Sequence, residues 1–84
     1  MAEVIMYTTG FCPYCTKARE LLNNKNVAFT EIRIDLQPEL RDEMIAKSGR
    51  RTVPQIFINS QAIGGCDDLY ELDRQGKLDQ LLAL

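Results

Sequence analysis

A short apolar run, a helix opened by proline and a second β-prone run follow one another at the start of this chain, and that order constrains the fold most. Glu3 to Thr8 is apolar and reads as a short buried strand. Thr8-Thr9-Gly10-Phe11 is a loop, and Pro13 suits a first helical position with Cys12 at the cap. Cys15, Ala18, Leu21 and Leu22 recur at spacings of three and four, so they mark one helical face, with Lys17, Arg19 and Glu20 on the other. Asn23 to Asn26 ends that helix, because asparagine tolerates the left-handed turn. Val27 to Asp35 alternates, with one slip in phase near Glu31, and reads as a second strand. A β–α–β unit requires a right-handed crossover and two parallel strands.

The remainder fits onto that unit. Pro38 opens a second helix with Leu40, Met44 and Ile45 inward, and Ser48-Gly49 closes it. Ile56-Phe57-Ile58 and Ala62-Ile63 flank Asn59-Ser60, a two-residue hairpin turn. Gly64-Gly65 leads into a helix with Leu69, Leu72 and Tyr70 inward; Gly76 interrupts it before a last short helix carrying Leu78, Leu81 and Leu82. The expected fold is α/β, a four-stranded mixed sheet flanked by helices, its first two strands parallel and its C-terminal hairpin antiparallel. Residues 1–84 form a single domain.

Composition then excludes several functions. Histidine is absent, which removes imidazole bases and Cys–His dyads. Three cysteines without histidine fall short of the four ligands of a structural zinc, so no metal is expected. A net charge of −2 does not indicate a nucleic-acid surface. The longest apolar runs, such as Val4 to Tyr7 and Leu81 to Leu84, are far below the ~18 residues that span a bilayer. Met1-Ala2-Glu3 lacks the features of a signal peptide. Free thiols with no export signal point to a reducing cytoplasm.

The chemistry lies in Cys12-Pro13-Tyr14-Cys15, where strand feeds helix. Residues three apart on a helix are surface neighbours, so modest adjustment brings the two sulfurs within disulfide range. Cys12 stands at the helix end, where unpaired N–H groups and the positive end of the dipole favour a thiolate. Cys15, one turn in on the apolar face, is expected to be more buried and less acidic. An ordinary thiol of pKa ~8.5 is about 3% ionised at neutral pH, so full ionisation gains at most about 30-fold. Nucleophilicity falls as acidity rises and returns a similar factor, so the larger gain is in departure. Cys12 is therefore the attacking sulfur, built as much to be released as to attack, and Cys15 resolves. Cys66 reads as a small buried hydrophobe.

Taken together, Cys12-Pro13-Tyr14-Cys15, Thr52-Val53-Pro54 and Gly64-Gly65-Cys66-Asp67-Asp68 resemble a dithiol glutaredoxin of the bacterial glutaredoxin 3 group, over essentially the whole chain. The resemblance implies a thioredoxin-like fold and glutathione-dependent reduction of protein disulfides and glutathione mixed disulfides. Glutathione is then a co-substrate, with no tightly bound cofactor, and the chain a monomer serving electron transport and cell redox homeostasis. Protein partners would be disulfide-containing or glutathionylated proteins, ribonucleotide reductase being a family-level expectation.

By resemblance, Tyr14 lines the glutathione groove, Val53 pairs through its backbone with the cysteinyl part, and Pro54 follows a cis peptide bond. Thr52, Gly65 and the Cys66-Asp67-Asp68 stretch border the γ-glutamyl end. Relatives often carry lysine where this chain has Thr9, so thiolate stabilisation leans on the helix end and on Lys17. Glutathione's chemistry points to the same places. Gly64-Gly65 before a helix offers N–H donors to a carboxylate. Asp67 suits the ammonium; Arg41, Arg50 and Arg51 are candidates for the glycine carboxylate. Two alternatives stay open: two chains sharing an iron–sulfur cluster through Cys12 and glutathione, and a redoxin reduced by a flavin reductase.

Overall fold

In the computed structural model, which describes residues 2–83, two layers of helix enclose a mixed sheet. The ends of the expected domain, Met1 and Leu84, lie outside the described residues. In chain order the elements are β1 (Val4–Thr8), α1 (Pro13–Asn24), β2 (Thr30–Arg33), α2 (Pro38–Ser48), β3 (Gln55–Ile58), β4 (Gln61–Gly64), α3 (Cys66–Arg74) and α4 (Lys77–Leu81). The strand order is β2-β1-β3-β4, with β1 parallel to β2 and antiparallel to β3, and β3 antiparallel to β4. This is the expected thioredoxin-like arrangement.

Alternation along the central strands supplies two cores. Val4 and Met6 of β1 and Ile56 and Ile58 of β3 meet Ala18, Leu21 and Leu22 of α1, Leu69 of α3 and Leu78 of α4. Tyr7 and Phe57 face the other way and pack with Ile34 and with Met44 of α2. The Tyr7 and Phe57 rings meet edge to face, their centroids 5.7 Å apart. Period-two alternation sends neighbouring residues to opposite faces, so a sheet covered on both sides shows apolar residues in both phases.

That explains the slip in phase near Glu31. Val27 and Phe29 pack against the first core, and Ile32 and Ile34 belong to the second. It also corrects the extent of the strand: β2 spans Thr30–Arg33, not Val27 to Asp35. Val27 is taken by the end of α1. Asn26 adopts φ 58°, its N–H bonds to the Asn23 carbonyl, and the Val27 N–H bonds to the Leu22 carbonyl. Those bonds form a Schellman motif, which satisfies carbonyls the helix leaves open. Likewise β1 begins at Val4, because Glu3 is held by the hairpin turn: its N–H donates to the Asn59 side-chain Oδ1 at 2.9 Å and its carbonyl accepts the Asn59 N–H at 2.8 Å. Asn59 and Ser60 have φ 51° and 67°, the paired left-handed conformations of the expected two-residue turn.

Tyr70 is a second correction. It is not inward but 39% exposed, and its hydroxyl donates to the Lys17 carbonyl at 3.0 Å. A phenol has a polar end to satisfy, and the α1 backbone supplies the partner at the surface.

Candidate active site

Three chain segments converge at one end of the sheet: the start of α1, the loop entering β3 and the start of α3. Cys12 is the N-cap of α1, with extended backbone (φ −152°, ψ 100°) and Pro13 in the first turn. Its sulfur accepts the Cys15 N–H at 3.1 Å, which satisfies one of the donors a helix start leaves open. Its own S–H lies 3.7 Å from the Val53 carbonyl, the link to the facing loop. Both sulfurs are free thiols.

The pair is asymmetric. Cys12 is partly exposed, whereas Cys15 is fully buried. Burial, reinforced by the hydrogen bond with Cys12, pushes the Cys15 thiol up to about 12; the Thr9 backbone N–H and the Arg19 cation act in the opposite direction. Desolvation disfavours the charged form of a thiol, so Cys15 stays protonated while Cys12 meets solvent.

The facing loop holds the expected cis Val53–Pro54 bond. It is braced from beneath by Gln55, whose buried side chain donates to the Thr52 carbonyl at 2.9 Å and the Thr52 hydroxyl at 3.3 Å. Across from it, Gly65 caps α3, and a Cβ added there would stand in ordinary contact, 3.4 Å, with the Pro54 carbonyl oxygen. Gly64 has φ 117°, a left-handed conformation that favours glycine, and a side chain there would collide with the Asp68 carboxylate. Asp68 accepts the Gly65 N–H at 2.9 Å and an Arg50 N–H at 2.8 Å. These two bonds, the backbone one foremost, hold its carboxyl below the ordinary range.

Between these walls lies an open cavity of about 350 Å³. Eight of the residues expected to bind glutathione line it: Tyr14 on one side, Thr52, Val53 and Pro54 on another, and Gly65, Cys66, Asp67 and Asp68 along the start of α3. Arg50 also lines it; Arg41 and Arg51 do not. Arg41 instead donates to the Arg51 carbonyl at 3.3 Å, which ties the end of the loop to α2. Thr9 lies off the cavity, its hydroxyl 3.5 Å from the Phe11 carbonyl. Lys17 sits beyond Tyr14, its ammonium 6.0 Å from the ring centre, in an adjoining cleft of about 310 Å³. Cys66 is 6% exposed and its thiol is raised, chiefly by burial, as a small hydrophobe requires. Among the described residues no group of three or more metal-ligating side chains forms, and no helix is long and apolar enough to cross a membrane.

Sequence reasoning missed three supports of the site. Gln55 is one; a glutamine inside an apolar strand was its signal. Asp35 is another: it accepts the Gly10 N–H at 3.1 Å and a paired contact from Arg33, and so braces the loop before Cys12. The third joins Thr8, Arg19 and Glu31, and nothing in the spacing of 8, 19 and 31 announces it.

Known proteins resemble this chain in sequence and in fold. A family profile described as glutaredoxin matches residues 4–63. Glutaredoxin 3 of Escherichia coli K12 is 58% identical over 82 residues, covering 98% of this chain and 99% of that protein. A glutaredoxin of Pseudomonas aeruginosa is 54% identical over 83 residues, covering 99% of each. The solution structure of a Brucella melitensis glutaredoxin superposes with a TM-score of 0.86 at 56% identity, covering 98% of this chain and 89% of that one. A buckwheat glutaredoxin–glutathione complex superposes with a TM-score of 0.91 at 28% identity, covering 98% and 77%.

Proposed function

Because the chain belongs to the glutaredoxin family, and is thus a glutathione-dependent thiol oxidoreductase, we propose that Cys12 carries its chemistry and that Cys15 resolves it. The carrying observation is the unequal pair itself: a reachable sulfur at a helix cap, three residues before a fully buried one, at the mouth of a groove. The Cys12 thiolate attacks the glutathione sulfur of a mixed disulfide. The substrate thiol leaves, and free glutathione then displaces Cys12 and restores the enzyme. On a protein disulfide, Cys15 displaces the substrate from Cys12, leaving Cys12–Cys15 oxidised for reduction by glutathione.

The groove holds glutathione in the same reading. Val53 presents backbone as a strand edge to the cysteinyl part. The free N–H groups at the start of α3 receive the γ-glutamyl carboxylate. Asp67 is exposed on the rim and takes the ammonium, since the Asp68 carboxylate is already engaged. Arg50 is the arginine positioned to reach a carboxylate of the ligand, being on the lining where Arg41 and Arg51 are not. The chain acts as a single monomeric domain in the cytoplasm, in electron transport and redox homeostasis, on disulfide-bearing or glutathionylated proteins, with ribonucleotide reductase a candidate.

Exposure of the Cys15→Ser protein, which cannot resolve an adduct on Cys12, to oxidised glutathione followed by peptide mass mapping tests the assignment. The adduct is expected on Cys12 and not on Cys66; an adduct on Cys66 alone overturns it. Asp67→Asn removes one charge partner of the ammonium. It is expected to raise KM for a small glutathione mixed disulfide about tenfold, the loss typical of one charged hydrogen bond, with kcat changed little. An unchanged KM removes Asp67 from the binding site.

A further inference from the structure

Behind Cys15 lies a polar network that the reaction, as described, does not use. Periodicity sets Arg19 on the face opposite Cys15, but it follows Cys15 by four residues on α1, the spacing that makes two side chains neighbours, and so lies at the edge of the buried face. Its Nε donates to both Glu31 carboxylate oxygens at 3.0 Å, and its Nη1 lies 3.5 Å from the Thr16 hydroxyl. Thr16 in turn donates to the Cys12 carbonyl at 3.3 Å. From the other side, the Thr8 hydroxyl donates to Glu31 at 2.6 Å. Thr8 is fully buried at the end of β1. A hydroxyl is buried at a cost unless it is bonded, and this one is spent on fixing Glu31. The Arg19 and Glu31 side chains are 27% and 28% exposed, at the edge of the structure.

We infer that Arg19, aimed by Glu31 and Thr8, is a positioning residue for the resolving sulfur: its guanidinium favours the Cys15 thiolate in the second displacement, and Glu31 limits how strongly it does so. This rests on the reading that Cys15 resolves. In that step Cys15 gives its proton to solvent, and its thiolate attacks Cys12 Sγ. The Cys12–Cys15 bond forms, the bond from Cys12 to the substrate sulfur breaks, and that sulfur leaves with the electron pair and takes up a proton. A fully buried thiol needs help to ionise. The groups facing it are Cys12 and Arg19 of α1 and the Thr9 N–H of the β1–α1 loop, with Glu31 of β2 and Thr8 of β1 behind Arg19. Arg19 stands one helical turn from Cys15, and a cation placed there lowers the cost of charge on the buried sulfur, against the larger effect of burial.

Removing the two partners separates this role from a merely structural tie. Loss of Arg19 withdraws a cation from Cys15; loss of the Glu31 charge frees that cation. A simple brace between α1 and β2 would weaken in both variants. The probe is the aromatic disulfide of thionitrobenzoate, mixed with reduced protein and followed by absorbance over a range of pH. The first release of thionitrobenzoate reports attack by Cys12. The second is unimolecular, independent of reagent concentration, and reports attack by Cys15. R19Q is expected to slow the second release about tenfold at fixed pH, displacing its pH–rate profile upward by about one unit. R19K is expected to restore it to within about threefold, as charge is kept. E31Q is expected to be no slower than the parent protein. A second release unchanged in R19Q, or slowed alike in R19Q and E31Q, overturns the inference. C15S separates the two readings: if it keeps the second release, the resolving role of Cys15 fails, whatever Arg19 does.

Discussion

Cys12→Ser is expected to reduce turnover of both glutathione mixed disulfides and protein disulfides to the uncatalysed background. The reason is the ionisation of the attacking group. An ordinary thiol is about 3% thiolate at neutral pH. A hydroxyl with a pKa near the ~15.7 of water is ionised on the order of one part in 10⁹. The helix end that receives the Cys12 sulfur cannot close that gap, since such an end contributes at most about 2 kcal/mol, roughly 30-fold. Serine is smaller and keeps the capping role, accepting the Cys15 N–H as the sulfur does. The fold is therefore expected to survive, and a thermal melt close to that of the parent protein ties the loss to chemistry. The assay couples a small glutathione mixed disulfide to glutathione reductase. Retention of more than about one part in a thousand of the parent rate would falsify the assignment of Cys12 as nucleophile.

How much of this was legible in sequence follows from how local each feature is. Pro13 with Cys12 before it, and Asn59-Ser60 between two apolar runs, are instructions carried by adjacent residues, and both were readable. The groove residues were readable because their motifs resemble a family, not because spacing joins Tyr14 to Pro54 or Asp67. Local reading failed where a residue had two uses. Val27 is apolar and in phase with a strand, yet it closes the end of α1. Tyr70 suits a core by polarity but has a hydroxyl that the α1 backbone satisfies at the surface. Among the three candidate arginines, composition could not choose; the turn after α2 brings Arg50 to Asp68 and leaves Arg41 on the Arg51 carbonyl. The Thr8–Glu31–Arg19 network joins three elements that meet only when β2 lies parallel to β1, so no periodicity could reveal it.

Cys15→Ser is expected to divide the two activities. Reduction of a glutathione mixed disulfide needs only Cys12 and a second glutathione, so its rate should stay within about threefold, the ordinary scatter of a conservative change beside a nucleophile. Reduction of a protein disulfide is expected to fall at least about a hundredfold. An intramolecular sulfur held in place acts at an effective concentration far above the millimolar thiol that must replace it. The geometry also orders the two sulfurs. The hydrogen bond with Cys12 is a leading reason, after burial, that Cys15 is held up to about 12. Once Cys12 is tied in a mixed disulfide, its charge no longer opposes ionisation of Cys15, and the resolving thiol becomes easier to deprotonate when its turn comes. A thiol that titrates well above neutrality gains thiolate tenfold for each unit of pH. The resolving step of the parent protein should therefore accelerate as pH rises from about 6 to about 8, and this dependence should vanish from the residual protein-disulfide activity of Cys15→Ser. Equal loss of both activities would place Cys15 in the first displacement as well, and the division of labour between reachable and buried sulfur would fall.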